Sequence, residues 1–351
     1  NAVKDNKYAL ILSKENKWYF VGYVNSKTKR KMVSMGANII IFPDKKYFNV
    51  TELADKTNLL EYDFSSETVW DELEPLAIST DMEATYVSSG NVSFKLCKMD
   101  GTEYTINTTS KTEPTNAENG HIWLDTSVTP HSLKQYSGAS NMWTSIATTY
   151  IKISATGIGK DFEVYDGVRI TGVKSLTDLN NTMVIQAKGD DYIVVIGLLD
   201  KAEGITQGDS ITVKRVVPEM DFVIESNNRL WGCRYGENRD GAFVNEIYAS
   251  KLGDFKNWEC FQGTSTDSYV ASVGTDSAFT GAISYLGYPL FFKQNCLYTV
   301  YGSYPATYQI QLTECRGVQQ GCHNSLVVID GTLYYKALGG VCAYNGSLPI
   351  E

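Results

Sequence analysis

The sequence predicts an all-β fold: a partial or complete β-propeller, with one or two small β-barrel or sandwich modules inserted in a loop. Three observations predict it. Strand-forming residues dominate, with 23 tyrosines and 13 phenylalanines among 351 residues. Helix signals are scarce. A strand-turn-strand unit recurs, and 44 residues separate Gly287 from Gly331, close to the roughly 40–50 residues of a four-stranded propeller blade.

The first unit is "MVSMGANIIIFPDKKYFNV", Met32 to Val50. An apolar strand leads to Gly36. A second strand, Ile39 to Phe42, runs to the turn Pro43-Asp44-Lys45, and Tyr47-Phe48 returns. Glycine or asparagine supplies the positive φ that a tight hairpin needs. "SKTKRK" precedes this unit and is the one dense basic run, read as a hairpin tip. Its Lys27, Lys29, Arg30 and Lys31 are candidates for contact with nucleic acid or a partner. A solvated loop is the simpler reading. Two short helices are expected next, in "VTELADKTNLLEY" and in "SETVWDELEPL", where serine caps a Glu-rich turn and Pro75 ends it.

From residue 83 to 217 the repeat fails. "YVSSGNVSFKLCKMDGTEYTINTT" is hairpin-like, and "FEVYDGVRITG" and "IVVIGLLDKAEGITQGDSITVKRVV" have the rhythm of a small β-barrel. "GHIWLDTSVTPHSLKQYSGASNMWTSIATTYIKIS" pairs Trp123 and Trp143 across polar turns, with Tyr136 between them. Residues 83–217 are therefore read as the inserted part, divisible near 155. Residues 1–82 and 218–351 are read as the two parts of the propeller.

The repeat then resumes three times. "NRLWGCRYGENRDGAFVNEIYASKLGDFKNWECF", Asn228 to Phe261, reads as strand, loop, strand, turn, strand, with Asn228 in the glycine's place. "AISYLGYPLFFKQNCLYTVYG" and "LVVIDGTLYYKALGGVCAYNG" follow, aligned on Gly36 through Gly287 and Gly331. Their central strands are apolar on both faces, as in a sheet stacked between neighbours.

Composition narrows the function. The net charge of −9 argues against a dedicated DNA-binding surface, because phosphate affinity comes mainly from clustered Lys and Arg. No apolar run is long enough to span a membrane. Both ends read as trimmed, so a signal segment ahead of Asn1 stays open. The seven cysteines form no CxxC pair, and Cys315 and Cys322 are separated by six residues with only His323 nearby. They read as reduced, mostly buried thiols, with zinc as a minor alternative. No HExxH, GxSxG, phosphate-loop or dinucleotide pattern occurs, and neither a cofactor nor catalysis is expected. The residual enzymatic route is a carboxylate pair drawn from Asp125, Asp190, Asp191 and Asp254. Each reads more simply as a turn residue.

With the repeat laid out, a resemblance emerges. "NRLWGC", "NEIYASKLGDFKNWECFQGTSTDSY", "LGYPLFFKQNCLYTVYG" and "CRGVQQGCHNSLVVIDGTLYYKALGGVCAYNGSLPI" resemble a family of structural proteins of tailed bacteriophages and prophages, and "VSMGANIIIFPDKKYFNV" fits the same pattern. "GHIWLDTSVTPHSLKQYS" is similar to small β modules of phage tail and fibre proteins. The resemblance implies a virion component of the tail or head-tail connector, assembled in the bacterial cytoplasm. It would be a homo-oligomer in the particle, with tail, portal or fibre proteins as partners and no catalytic residue. The alternative is a carbohydrate-binding or glycan-cleaving host-recognition module, with Trp123, Tyr136 and Trp143 in its groove. A sialidase-like propeller fits less well. "STDSYVAS" lacks the glycine and tryptophan of that family's repeated turn, and the arginines are scattered.

Overall fold

The computed structural model describes residues 30–53 and 80–350, together with the backbone of the strands within 3–24. The described residues are all-β: several small antiparallel sheets, with helix only as short 3₁₀ turns such as Val50–Leu53. The rest of the two expected helices lies outside the described residues. The chain divides into two compact units. One holds Asn1–Met82, Val217–Trp258 and Gly263–Glu351, and the other holds Glu83–Val216 with Glu259–Gln262.

Among the described residues the larger unit contains five sheets, each an antiparallel meander in chain order. The first is Val3–Lys4, Lys7–Lys14, Lys17–Val24. The second is Lys31–Met35, Asn38–Phe42, Lys46–Asn49, Thr80–Asp81. The third is Phe222–Ser226, Arg229–Glu237, Phe243–Ala249, Tyr269–Ser272. The fourth is Phe279–Tyr285, Tyr288–Lys293, Cys296–Tyr301, Gln309–Glu314. The fifth is Val327–Ile329, Thr332–Lys336, Val341–Tyr344.

The same hairpin opens the second to fifth sheets. Met35 pairs with Asn38, Ser226 with Arg229, Tyr285 with Tyr288 and Ile329 with Thr332, each across two residues. In the last three, both turn residues have positive φ: Asn227-Asn228 at 53° and 58°, Leu286-Gly287 at 51° and 81°, Asp330-Gly331 at 47° and 76°. This is the twist that matches a hairpin's strands. The register corrects the sequence alignment. Gly36, at φ 58°, is the first turn residue of its hairpin, whereas Gly287 and Gly331 are second. A second correction concerns the end of the stretch Asn228 to Phe261, read as closing on a third strand. It is a loop, and the sheet's fourth strand is Tyr269–Ser272.

Alternation then decides the stacking. The central row of each sheet is Val33–Ile40–Tyr47, Ile224–Trp231–Ala249, Ile283–Leu290–Thr299 and Val327–Tyr334–Ala343. The first row packs with Val223, Leu230 and Tyr248 of the third sheet. The second packs with Phe279, Phe291 and Tyr298 of the fourth. Ile283 and Leu290 of the third row pack with Leu333, Tyr335 and Tyr344 of the fifth. The opening strand of the third sheet also lies beside the opening strands of the second and fourth. Second to fifth sheets thus form one face-to-face series.

The smaller unit has one core, running from Val92 to Val213. A five-stranded sheet orders Ala187–Gly189, Tyr192–Ile196, Tyr150–Ser154, Val92–Cys97 and Ile205–Gln207. A four-stranded sheet orders Thr182–Val184, Gly167–Thr171, Thr212–Arg215 and Ala84–Val87. Between them lie Phe94, Ile151, Ile153, Val168, Ile170 and Val213, all at 0–1% exposure. Burial on this scale is the main stabilising term of the fold. A third sheet, Thr108–Ser110, Ile122–Asp125, Ser132–Ser137 and Met142–Ser145, adds Ile122, Leu124 and Leu133 to the same core.

Candidate functional site

The third sheet of the smaller unit turns one face inward and one outward. Because side chains alternate, Ile122, Leu124 and Leu133 reach the core, and Trp123, Asp125, Lys134, Tyr136 and Trp143 share the opposite face. The three aromatic residues picked out from the sequence are therefore brought together. Trp123 and Trp143 meet edge to face with ring centroids 5.4 Å apart, and Tyr136 lies 5.3 Å from Trp143. Trp123 is buried and donates through Nε1 to the Ser110 carbonyl at 3.1 Å. Tyr136 and Trp143 are half-buried. The Trp143 indole N–H has no partner among the described residues.

A cation closes one end of this face. Lys134 Nζ stands 4.6 Å over the Trp123 ring and 2.8 Å from Asp125 Oδ2. The Lys134 hydrogen bond, with those from the Ser127 side chain and backbone, holds the Asp125 carboxyl down at about 2. The other acids named from the sequence sit in turns. Asp191 Oδ1 accepts from the Gly157 N–H at 2.7 Å, and Asp254 Oδ1 accepts from the Lys256 N–H at 3.1 Å. Asp190 contributes its backbone carbonyl to Gly159.

The basic run divides. Lys27 and Lys29 lie outside the described residues. Arg30 is part-buried, and its Nε and Nη2 donate to the two carboxylate oxygens of Asp44 at 2.7 and 3.0 Å. That fork fixes the strand entry to the turn at Pro43-Asp44-Lys45. Lys31 starts the strand and is exposed.

No protein-family model and no curated protein matches this chain.

Two side chains that the sequence did not single out organise the third sheet and its junction with the fourth. Lys293 is fully buried. Its Nζ donates to Asn245 Oδ1 at 2.8 Å and to the Thr275 carbonyl at 2.7 Å, with the rings of Phe279 and Tyr235 4.5 and 5.0 Å away. Burial pushes its pKa below the usual lysine value. Arg229, 1% exposed, donates to the carbonyls of Ser250, Asp267 and Ser265 at 2.5–2.8 Å, which ties down the loop after the third strand. Both look like ordinary strand-end cations in the sequence, so only tertiary burial reveals them.

The smaller unit also has a cavity of about 400 Å³, lined by Ile151, Leu179, Met183 and Leu198, with His131, Asp178 and Asp200 among the polar groups. All seven cysteines are free; five are buried, and Cys315 and Cys322 are half-buried. Among the described residues no cluster of His, Cys, Asp or Glu could hold a metal, and no helix is long and apolar enough to cross a membrane.

Proposed function

We propose that this chain is a non-enzymatic structural protein of a tailed-phage or prophage particle, placed in the tail or the head-tail connector. Its larger unit is a β-propeller-like ring, partial or complete, that serves as an assembly platform. The observation that carries the reading is the series of face-to-face sheets. Four successive sheets repeat one hairpin register, the central row is buried in the first three of them, and the opening strands of those three lie side by side. Sheets of this kind cannot bury both faces alone, and radial repetition answers that need while leaving loops and edges for partners. The sequence resemblance supplies the virion assignment. The partners are other virion proteins and further copies of the chain in the particle, and assembly takes place in the bacterial cytoplasm.

The test is direct. Particles purified from the host that carries this gene should contain the chain in fixed stoichiometry with portal, tail or fibre proteins. Its absence from particles, or neighbouring genes for polysaccharide utilisation or secretion, would overturn the reading.

One observation favours a second reading, a glycan-recognition role for the smaller unit. Trp123, Tyr136 and Trp143 share a face, on which Tyr136 and Trp143 are half-buried. Aromatic rings stack on sugar rings, and half-buried Tyr136 and Trp143 leave ring surface for such a contact. Binding of host surface polysaccharide that is lost in Trp143→Ala would favour it. Equal binding by that variant would dismiss it.

A further inference from the structure

The cavity of the smaller unit lies where its three sheets meet. Ile151 and Ile196 come from the five-stranded sheet, Met183 from the four-stranded sheet, and Thr129, Pro130 and His131 from the turn that leads into Ser132–Ser137. The 3₁₀ turn Thr177–Leu179 supplies Asp178 and Leu179. The floor is core, with Ile151 and Leu179 at 1–2% exposure. Ile196, 50% exposed, and the exposed Asp178 and Asp200 put the mouth at the surface. Gly197 adds no side chain to the wall. A Cβ there would crowd Ile151 Cδ1 at 2.9 Å and Leu179 Cδ2 at 3.5 Å. At about 400 Å³, apolar with a few polar groups, the cavity has the size and character of a small-molecule site.

The lining decides the class of molecule. Its apolar part is aliphatic or thioether, with no Phe, Tyr or Trp on which a sugar ring could stack. That sets it apart from the face of Trp123, Tyr136 and Trp143. Its charged part carries one sign. Asp178 and Asp200 line the cavity, and no lysine or arginine does. The remaining polar side chains are Thr129 and His131. A ligand carboxylate would meet two like charges at the mouth, and an ammonium would meet two opposite ones.

We infer that this cavity binds a small amphipathic amine, with its apolar body on Ile151 and Leu179 and its ammonium at the mouth beside Asp178 and Asp200. The inference uses the smaller unit alone and is independent of both the ring reading and the virion assignment.

The experiment follows methyl signals of the full chain, labelled at Ile, Leu and Met. Three probes that share one apolar body are titrated at neutral pH: phenylbutylamine, phenylbutanol and phenylbutanoate. The expected result is saturable shifts at Ile151, Leu179 and Met183. The amine should bind about fivefold more tightly than the alcohol, and the carboxylate should bind most weakly. Added salt should narrow the gap between amine and alcohol. Absence of saturable shifts at those methyls would overturn the site. Equal binding of the three probes, or a preference for the carboxylate, would overturn the amine class. The double variant Asp178→Asn, Asp200→Asn assigns the selectivity. It should bind the alcohol as before and lose the preference for the amine, and a preference that survives would overturn the role given to the two carboxylates. The three-probe comparison on the unsubstituted chain decides the class even where the variant fails to fold.

Discussion

Two buried charged side chains, Lys293 and Asp125, show how single residues fix this fold. Lys293 is held by an amide oxygen, a backbone carbonyl and aromatic faces. Removing it leaves Asn245 Oδ1 and the Thr275 carbonyl short of a donor and opens a cavity beside Phe279. Lys293→Ala should therefore destabilise the larger unit by about 2–4 kcal/mol, read as a lower urea midpoint with an unchanged slope. Asp125 offers a pH test. Its folded pKa is depressed by Lys134 and Ser127. The stability it contributes is present above the unfolded value of about 4 and is lost as pH falls through the folded value of about 2. Tryptophan fluorescence from Trp123 and Trp143 should change over that window. In Asp125→Asn the change should vanish. Neither feature was legible in the sequence. Asp125 reads there as a turn acid, and nothing local says that Lys134 pairs opposite Trp123 across the sheet.

At the scale of elements, hairpin turns carry most of the legible information. Asn227-Asn228, Leu286-Gly287 and Asp330-Gly331 sit where positive φ is required, and two of the three contain the glycine that betrays it. Leu286 is the exception, a γ-branched residue at φ 51°. Leu286→Gly should stabilise the fourth sheet by about 0.5–1 kcal/mol, since relief of the left-handed strain exceeds the entropy glycine adds to the unfolded chain. Thermal unfolding would measure it. The first sheet escaped the sequence reading because Asp5-Asn6 and Glu15-Asn16 lie between its strands, with no glycine to align. The parallel strand Thr108–Ser110 escaped because three polar residues show no period. Phe255 to Phe261 was misread for the opposite reason. Two of its aromatics, Phe255 and Trp258, fill the core from a loop, packed against the second sheet's row, while Phe261 is exposed. Burial without strand geometry looks like a strand to a composition argument. In the smaller unit Gly167 lies under the segment Glu259–Gln262, and a Cβ there would stand 2.2 Å from the Glu259 backbone. Gly167→Ala should dislodge that segment and break the Arg169–Glu259 pair, seen as faster amide exchange over residues 259–262.

For the whole molecule, the all-β class and the series of hairpins follow from residue type and spacing, whereas the order of packing follows from which rows are apolar on both faces. The thiols give a global test. Unfolded chain without reductant should titrate seven thiols, as free cysteines require. In the folded chain the five buried ones should stay silent, and burial lifts Cys315 to about 12, so at neutral pH its thiolate is scarce. Cys322 should react first. One or no thiol in the unfolded chain would contradict the assignment of all seven as free.

The Lys293 contact has a further consequence. Sheets built on one register are nearly interchangeable, and such a stack risks joining in the wrong order or exchanging a sheet with another copy. The junction of third and fourth sheets is keyed. The position of Lys293 is taken by Ala337 in the fifth sheet and by Pro43 in the second, counted from the same turn. A sheet placed in the fourth's berth without that ammonium would leave Asn245 and Thr275 unanswered, and a fourth sheet placed elsewhere would bury a charge with no acceptor. The lysine acts as an address label: it tells one sheet which neighbour is its own.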